Sequence, residues 1–241
     1  MTSATGRDKG FSLVEMAIVL VIVGLLLGGM LAPLSMQMEQ RKISETQRQM
    51  DEIKEALIGF ALRNGYLPCP AISASNGLED RNGDNGDTCG DDKRQGYLPW
   101  ATLGVGKLDS WGHLFRYSVT PAFTRTQAPF ALSTQRDISV MTRSGEAGTL
   151  VGATAENDIP VVILSYGRNG AHATSDQGVL IPDPSGTNSD EKTNSGGDGT
   201  RFIARPASDN VRQPGGEFDD MVSWISPNIL YNRMVAAQRL P

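Results

Sequence analysis

Two cysteines, two histidines and three tryptophans among 241 residues leave little of the usual equipment for metal or redox chemistry. A zinc site needs a spaced set of cysteines and histidines, whereas Cys69 and Cys89 lie far in sequence from His113 and His172, and neither histidine has a partner at ligand spacing. There is no G-x-S-x-G elbow, no phosphate-binding glycine–lysine loop and no dinucleotide fingerprint, so hydrolase, NTPase and dehydrogenase readings have no anchor. Basic residues are not in excess either: a net charge of −5 provides no electrostatic footprint for nucleic acid. These absences predict a chain that is not an enzyme and takes no nucleic-acid partner.

Long apolar runs are equally scarce, and the single one is informative. Residues 16–34 carry no charge over nineteen positions, close to the ~20 residues that cross a roughly 30 Å hydrocarbon layer as a helix. A secretory signal has an apolar core of about 7–15 residues and then a small-residue cleavage site. This run is longer, and MLAPLSMQMEQ beyond it offers no such site. Arg7 and Lys9 precede the run, which predicts a cytoplasmic leader and an exported remainder after about residue 35. One acid, Glu15, sits at its entrance. A carboxylate in lipid is costly unless a partner neutralises it, so it marks a function by default.

GFSLVE, residues 10–15, opening an uncharged helix behind a basic leader, resembles the type IV pilin and type II secretion pseudopilin family. Two further stretches are similar to the globular part of that family: DSWGHLFRYS at 109–118, and SYGRNG at 165–170 followed by DDMVSW at 219–224. The resemblance implies that prepilin peptidase cuts between Gly10 and Phe11, that Phe11 becomes a methylated N-terminus, and that Glu15 pairs with the N-terminal amine of a neighbouring subunit. It implies other pilin or pseudopilin subunits, an inner-membrane assembly platform, the peptidase and membrane lipid as partners. It places the chain in the bacterial inner membrane as a single-pass protein with a periplasmic C-terminal domain, or in a pilus or pseudopilus, supporting protein secretion or pilus biogenesis. The match fails over the cysteine loop and over residues 182–200, which points to a minor or specialised subunit. The competing expectation is a membrane-anchored periplasmic domain that binds a ligand or calcium and never assembles.

The remaining pattern predicts an α+β fold, with a long N-terminal helix packed on a small antiparallel sheet. The expected order is a leader at 1–10, a transmembrane or assembly helix from Phe11 to Leu34, an amphipathic helix at 35–64 and a periplasmic domain at 65–241. Pro33 is expected to kink the helix. Met36, Ile43, Met50 and Leu57 recur every seven residues with Ile53 and Phe60 beside them, one stripe on a polar rod, and Asn64-Gly65 supplies a stop. Strands are expected at 114–119, 138–142, 159–165 and 217–225, and Ser226-Pro227 should open a last helix. Residues 182–200, poor in apolar side chains, read as a flexible loop.

In an oxidising compartment Cys69 and Cys89 are expected to form a disulfide closing loop 69–89; free thiols or half of a metal site are the alternatives. No cofactor is certain, and calcium is the candidate. Asp80, Asn82, Asp84 and Asp91 partly copy an EF-hand loop, but the glycine is misplaced and no helix pair flanks it, so a solvated turn is the plainer reading. Asp219 and Asp220 form the second candidate, near the position of the calcium loop of the major pseudopilins that the chain resembles. There Asn169 stands where an aspartate is usual.

Overall fold

A computed structural model describes residues 10–81, 86–142 and 158–240, and within these the side chains at 27, 29–33 and 91 are not described. The chain divides into two compact units, Met1–Lys42 and Ile43–Pro241. Helix α1, Leu13–Asn64, belongs to both.

In the first unit α1 continues without interruption across position 33. The described apolar side chains of this unit are exposed: Phe11, just before the helix, by 81%, Leu13 by 88% and Leu25 by 72%. Among the described residues no helix is long and apolar enough to cross a membrane. The undescribed side chains at 27 and 29–33 fall inside the run expected to do so.

In the second unit the heptad stripe becomes core. Met50, Ile53, Leu57 and Phe60 are buried, Ile43 is half-buried, and Ile58 and Ala61 widen the buried face. Each such aliphatic side chain contributes about 1.5–3 kcal/mol when taken fully out of water. The helix ends where expected: the Gly65 N–H donates to the Ala61 carbonyl at 2.7 Å and the Asn64 amide to the Phe60 carbonyl at 2.9 Å.

The stripe packs with the main sheet in one core. Strands β1 (Gln95–Tyr97), β2 (Arg116–Val119), β4 (Val161–Ser165) and β6 (Met221–Trp224) lie in the order β1-β2-β4-β6, all antiparallel. The most apolar stretch beyond α1, IPVVIL, supplies β4, a central strand buried at every position. Alternation divides its side chains: Val161 and Ile163 face the α1 core with Tyr117 and Val119, while Val162 joins a second cluster with Ile138, Val140, Ile159 and Phe202. That second cluster includes a separate parallel pair, β3 (Ser139–Met141) with β5 (Arg201–Ile203). The expected strand at 138–142 therefore exists, but outside the main sheet.

A short helix α2 (Trp100–Leu103) leads into the DSWG turn, where Asp109 Oδ1 accepts the N–H groups of Trp111 and His113 at 3.0 and 2.9 Å. Ser165 closes the turn onto β4 by donating to Asp109 Oδ2 at 2.6 Å. The last helix α4 (Pro227–Ala236) starts with Pro227 in its first turn, as expected, although the Ser226 hydroxyl makes no capping bond.

Residues 182–200 differ from the loop expected of them. They contain helix α3 (Ser189–Ser195), in which Asp190, Glu191 and Asn194 are buried. Polar contacts hold this segment where apolar ones are missing. The Arg205 Nε donates to Asp190 Oδ2 at 2.8 Å, and Asn194 donates to the Ile203 carbonyl and accepts the Ile203 N–H. Gly215 and Gly216, both at positive φ, let the chain pass so close that a Cβ would collide with Asp190 and with the Thr187 carbonyl.

Candidate functional site

The first of two places that gather the marked residues is the head of α1. Leu13 is the first helical residue, which makes Ser12 the cap and puts Glu15 in the first turn, where helix polarity favours an acid. The Glu15 N–H donates to Ser12 Oγ at 3.2 Å, and the Ser12 N–H donates back to Glu15 Oε2 at 2.8 Å. This reciprocal capping box satisfies N–H groups that no helical carbonyl reaches. It turns the carboxylate back toward the Gly10–Phe11 junction, where both residues are exposed. The S-x-x-E spacing is visible in the sequence, yet Ser12 attracts no notice there because the acid dominates the reading.

The second place lies in the globular unit, where the turn after β4, the start of α3 and the entry to β6 converge. Glu191, Asp219 and Asp220 each bring a carboxylate oxygen within 4.8 Å of the others. Asn169 and Asn188 orient Glu191: the Asn169 amide donates to both of its oxygens at 3.0 and 3.1 Å, and the Asn188 amide to Oε2 at 2.8 Å. The Asp219 N–H adds a bond to Glu191 Oε1 at 2.9 Å. Asn169 Nδ2 can therefore do what an aspartate there could not, since a fourth carboxylate would repel Glu191.

Asp219 and Asp220 are less well supplied. Asp219 Oδ2 accepts the Asn169 N–H at 2.8 Å and Asp220 Oδ2 accepts the Asn194 amide at 2.8 Å. The Oδ1 atoms of both are buried without a hydrogen-bond partner, and Asp220 is only 6% exposed. Burial pushes the Asp219 carboxyl up to about 7, opposed by the Asn169 N–H and reinforced by the Glu191 charge. Burial also drives Asp220 well above the ordinary carboxylate range, with the charges of Glu191 and Asp219 adding to it. Protons or a cation must therefore balance the cluster. An all-oxygen donor set with two unfilled carboxylate oxygens fits a hard divalent ion such as calcium. Here Glu191 is the residue the sequence reading missed. Its only signal is an acidic pair, Asp190-Glu191, suited to the first turn of a helix inside an otherwise featureless stretch.

Among the described residues, Asp80 of the first candidate loop is not part of this cluster. Asp80 pairs with Lys93 at 3.3 Å. Asn82 and Asp84 lie outside the described residues, and the Asp91 side chain is not described. Cys69 and Cys89 form the expected disulfide, with Cα atoms 5.4 Å apart and both residues fully buried. Leu34 is helical and exposed.

Residues 5–31 match the family described as prokaryotic N-terminal methylation motif. No curated protein and no solved structure matches the chain. The matched motif is that of pilin-type substrates of prepilin peptidase, and it covers the Gly10–Phe11 junction and the Ser12–Glu15 box. The match over this N-terminal segment supports a type IV pilin- or pseudopilin-like family.

Proposed function

We propose that the chain is a structural subunit of a type IV filament machine, either a type II secretion pseudopilus or a type IV pilus. The observation that carries this reading is the methylation motif with its acid folded onto the head of α1. Prepilin peptidase hydrolyses the Gly10–Phe11 peptide bond, and the freed Phe11 amine becomes a positive charge beside an apolar run. In a bilayer that charge and the Glu15 carboxylate are each costly alone, and stacking subunits neutralises both. Anchorage in the inner membrane through residues 16–34 is part of the reading and rests on their uncharged length. The exported domain then decorates a filament, and its role is mechanical, not catalytic.

The mass of the mature N-terminus tests it. A chain beginning at methylated Phe11 is expected; an intact leader in cells that contain the peptidase overturns the proposal. Glu15→Ala should still insert and should enter filaments poorly.

A second reading is favoured by the Glu191–Asp219–Asp220 cluster: a membrane-anchored domain whose task is to bind calcium. It predicts that Glu15→Ala is tolerated while cation binding persists. The two readings also combine, because calcium there would fasten α3 to the entry of β6 in a filament subunit.

A further inference from the structure

We propose that Ser12 is the positioning residue for Glu15 in subunit pairing, an inference that rests on the assembly reading above. From Phe11 to Leu34 only Ser12 and Glu15 have polar side chains, and each is hydrogen-bonded to the backbone of the other. No other side chain on this segment can orient the acid. A free glutamate samples many rotamers, and fixing them at the moment of pairing costs binding free energy. The box fixes them beforehand.

The geometry also directs the carboxylate. The Ser12 N–H that holds Oε2 belongs to the peptide unit next to Phe11, so the acid lies beside the end of the chain that cleavage exposes. One oxygen is engaged there, and Oε1, which accepts no hydrogen bond among the described residues, is the one offered to an incoming ammonium. The ligand this arrangement fits is a primary ammonium at the N-terminus of a second copy of the chain or of a subunit ending alike. A charged donor added to a carboxylate that already accepts a backbone N–H forms a strong, short hydrogen bond. Ser12 touches no partner in this scheme and acts only through Glu15.

The test uses the full chain in cells containing the peptidase, with Ser12→Ala, Ser12→Thr and Glu15→Gln variants. Three quantities are read: the N-terminal mass, the fraction of subunit in filaments, and the infrared carboxylate band of Glu15 in lipid, isolated as the difference from Glu15→Gln. Ser12→Ala is expected to be cleaved normally, to enter filaments about fivefold less, the equilibrium equivalent of one lost helix cap, and to shift the band. Ser12→Thr should restore both. Wild-type incorporation of Ser12→Ala, an unmoved band, failure of Ser12→Thr to restore, or loss of cleavage would each overturn the role while leaving the assembly reading intact. Normal filament entry of Glu15→Gln would instead sink the assembly reading, and this inference with it.

Discussion

Around the disulfide loop Glu79, Asp80 and Asp87 all meet donors. Glu79 takes the Arg81 guanidinium and the Cys69 N–H, both at 3.0 Å, and Asp80 takes Lys93. Asp87 Oδ1 accepts the Thr126 N–H and hydroxyl and the Gln127 N–H at 2.7–2.8 Å. Around α3 and the entry to β6, Glu191, Asp219 and Asp220 crowd one another, and two buried oxygens have no donor. In sequence both regions look alike, glycine-rich and acidic. The difference teaches that acid density does not define a cation seat; what decides is whether the fold has already answered the charge.

The largest expected effect sharpens the first half of the comparison. Replacing Cys69 and Cys89 together by alanine releases a loop with a sequence separation of 20 and should lower stability by about 3 kcal/mol in the loop-entropy model. The midpoint of denaturant unfolding measures it, and an unmoved midpoint would mean that Arg81 alone fixes the loop. That is the relevant rival, since Arg81 donates to the Thr124 carbonyl at 2.7 Å and stacks over Tyr66 at 4.5 Å. A smaller effect probes the second half. With a dissociation constant in the 10⁻⁴–10⁻³ M range of extracellular calcium modules, about 1 mM calcium should stabilise the domain by roughly 0.4–1.4 kcal/mol. Asp220→Asn should abolish that gain while stabilising the calcium-free domain, because a neutral amide relieves a buried charge. If Asp220→Asn keeps the calcium response, the seat is elsewhere.

What the sequence reveals follows the same division. Apolar periodicity announces the Met50–Leu57 stripe and the β4 run because burying methylene groups leaves a regular trace, and Asn64-Gly65 announces the end of α1. It announces a strand near Val140 but not its parallel partner β5, since register with Arg201–Ile203 depends on α3 being folded between them. Helix α3 itself is illegible: its buried face is Asp190, Glu191 and Asn194, and polar burial satisfied by Arg205, Asn169 and Asn188 leaves no hydrophobic pattern. Asp219 and Asp220 were legible through the resemblance of DDMVSW, while Glu191, brought in by the segment that departs from it, was not.

The pH dependence should have opposite signs in the two regions. The Gln127 N–H and the Thr126 hydroxyl hold Asp87 below the usual carboxylate value. Its contribution is present above the ordinary value of 3.8 and is lost as pH falls through the folded one. Asp219, pushed up to about 7, behaves inversely. Between about 4 and 7 the folded domain keeps a proton that the unfolded chain has shed, so stability falls as pH rises through that window. Melting temperatures in chelator should show both limbs. Asp87→Asn should shrink the acid limb alone, and Asp219→Asn the neutral limb alone, leaving there the part that the raised Asp220 carboxyl contributes. Calcium competes with the proton, so its stabilisation should grow from pH 5 to pH 8, and a pH-independent calcium shift would break the assignment.

The smallest expected effect is the most direct attack on the comparison. Asp80 and Lys93 form an ion pair whose side chains remain 25% and 30% exposed. Pairs this open to water contribute about 0–1 kcal/mol, since solvent screens the attraction and two long side chains lose freedom in making it. Asp80→Asn should therefore move the denaturation midpoint by less than about 0.5 kcal/mol. More important is what it should leave alone. Calorimetric titration with calcium should give the same heat and affinity as the unsubstituted domain, because the oxygens that need a cation belong to Glu191, Asp219 and Asp220. Loss of the calcium heat on Asp80→Asn would show that Lys93 yields its carboxylate to the ion. The disulfide loop would then be the seat, and the α3 cluster would be balanced by protons alone.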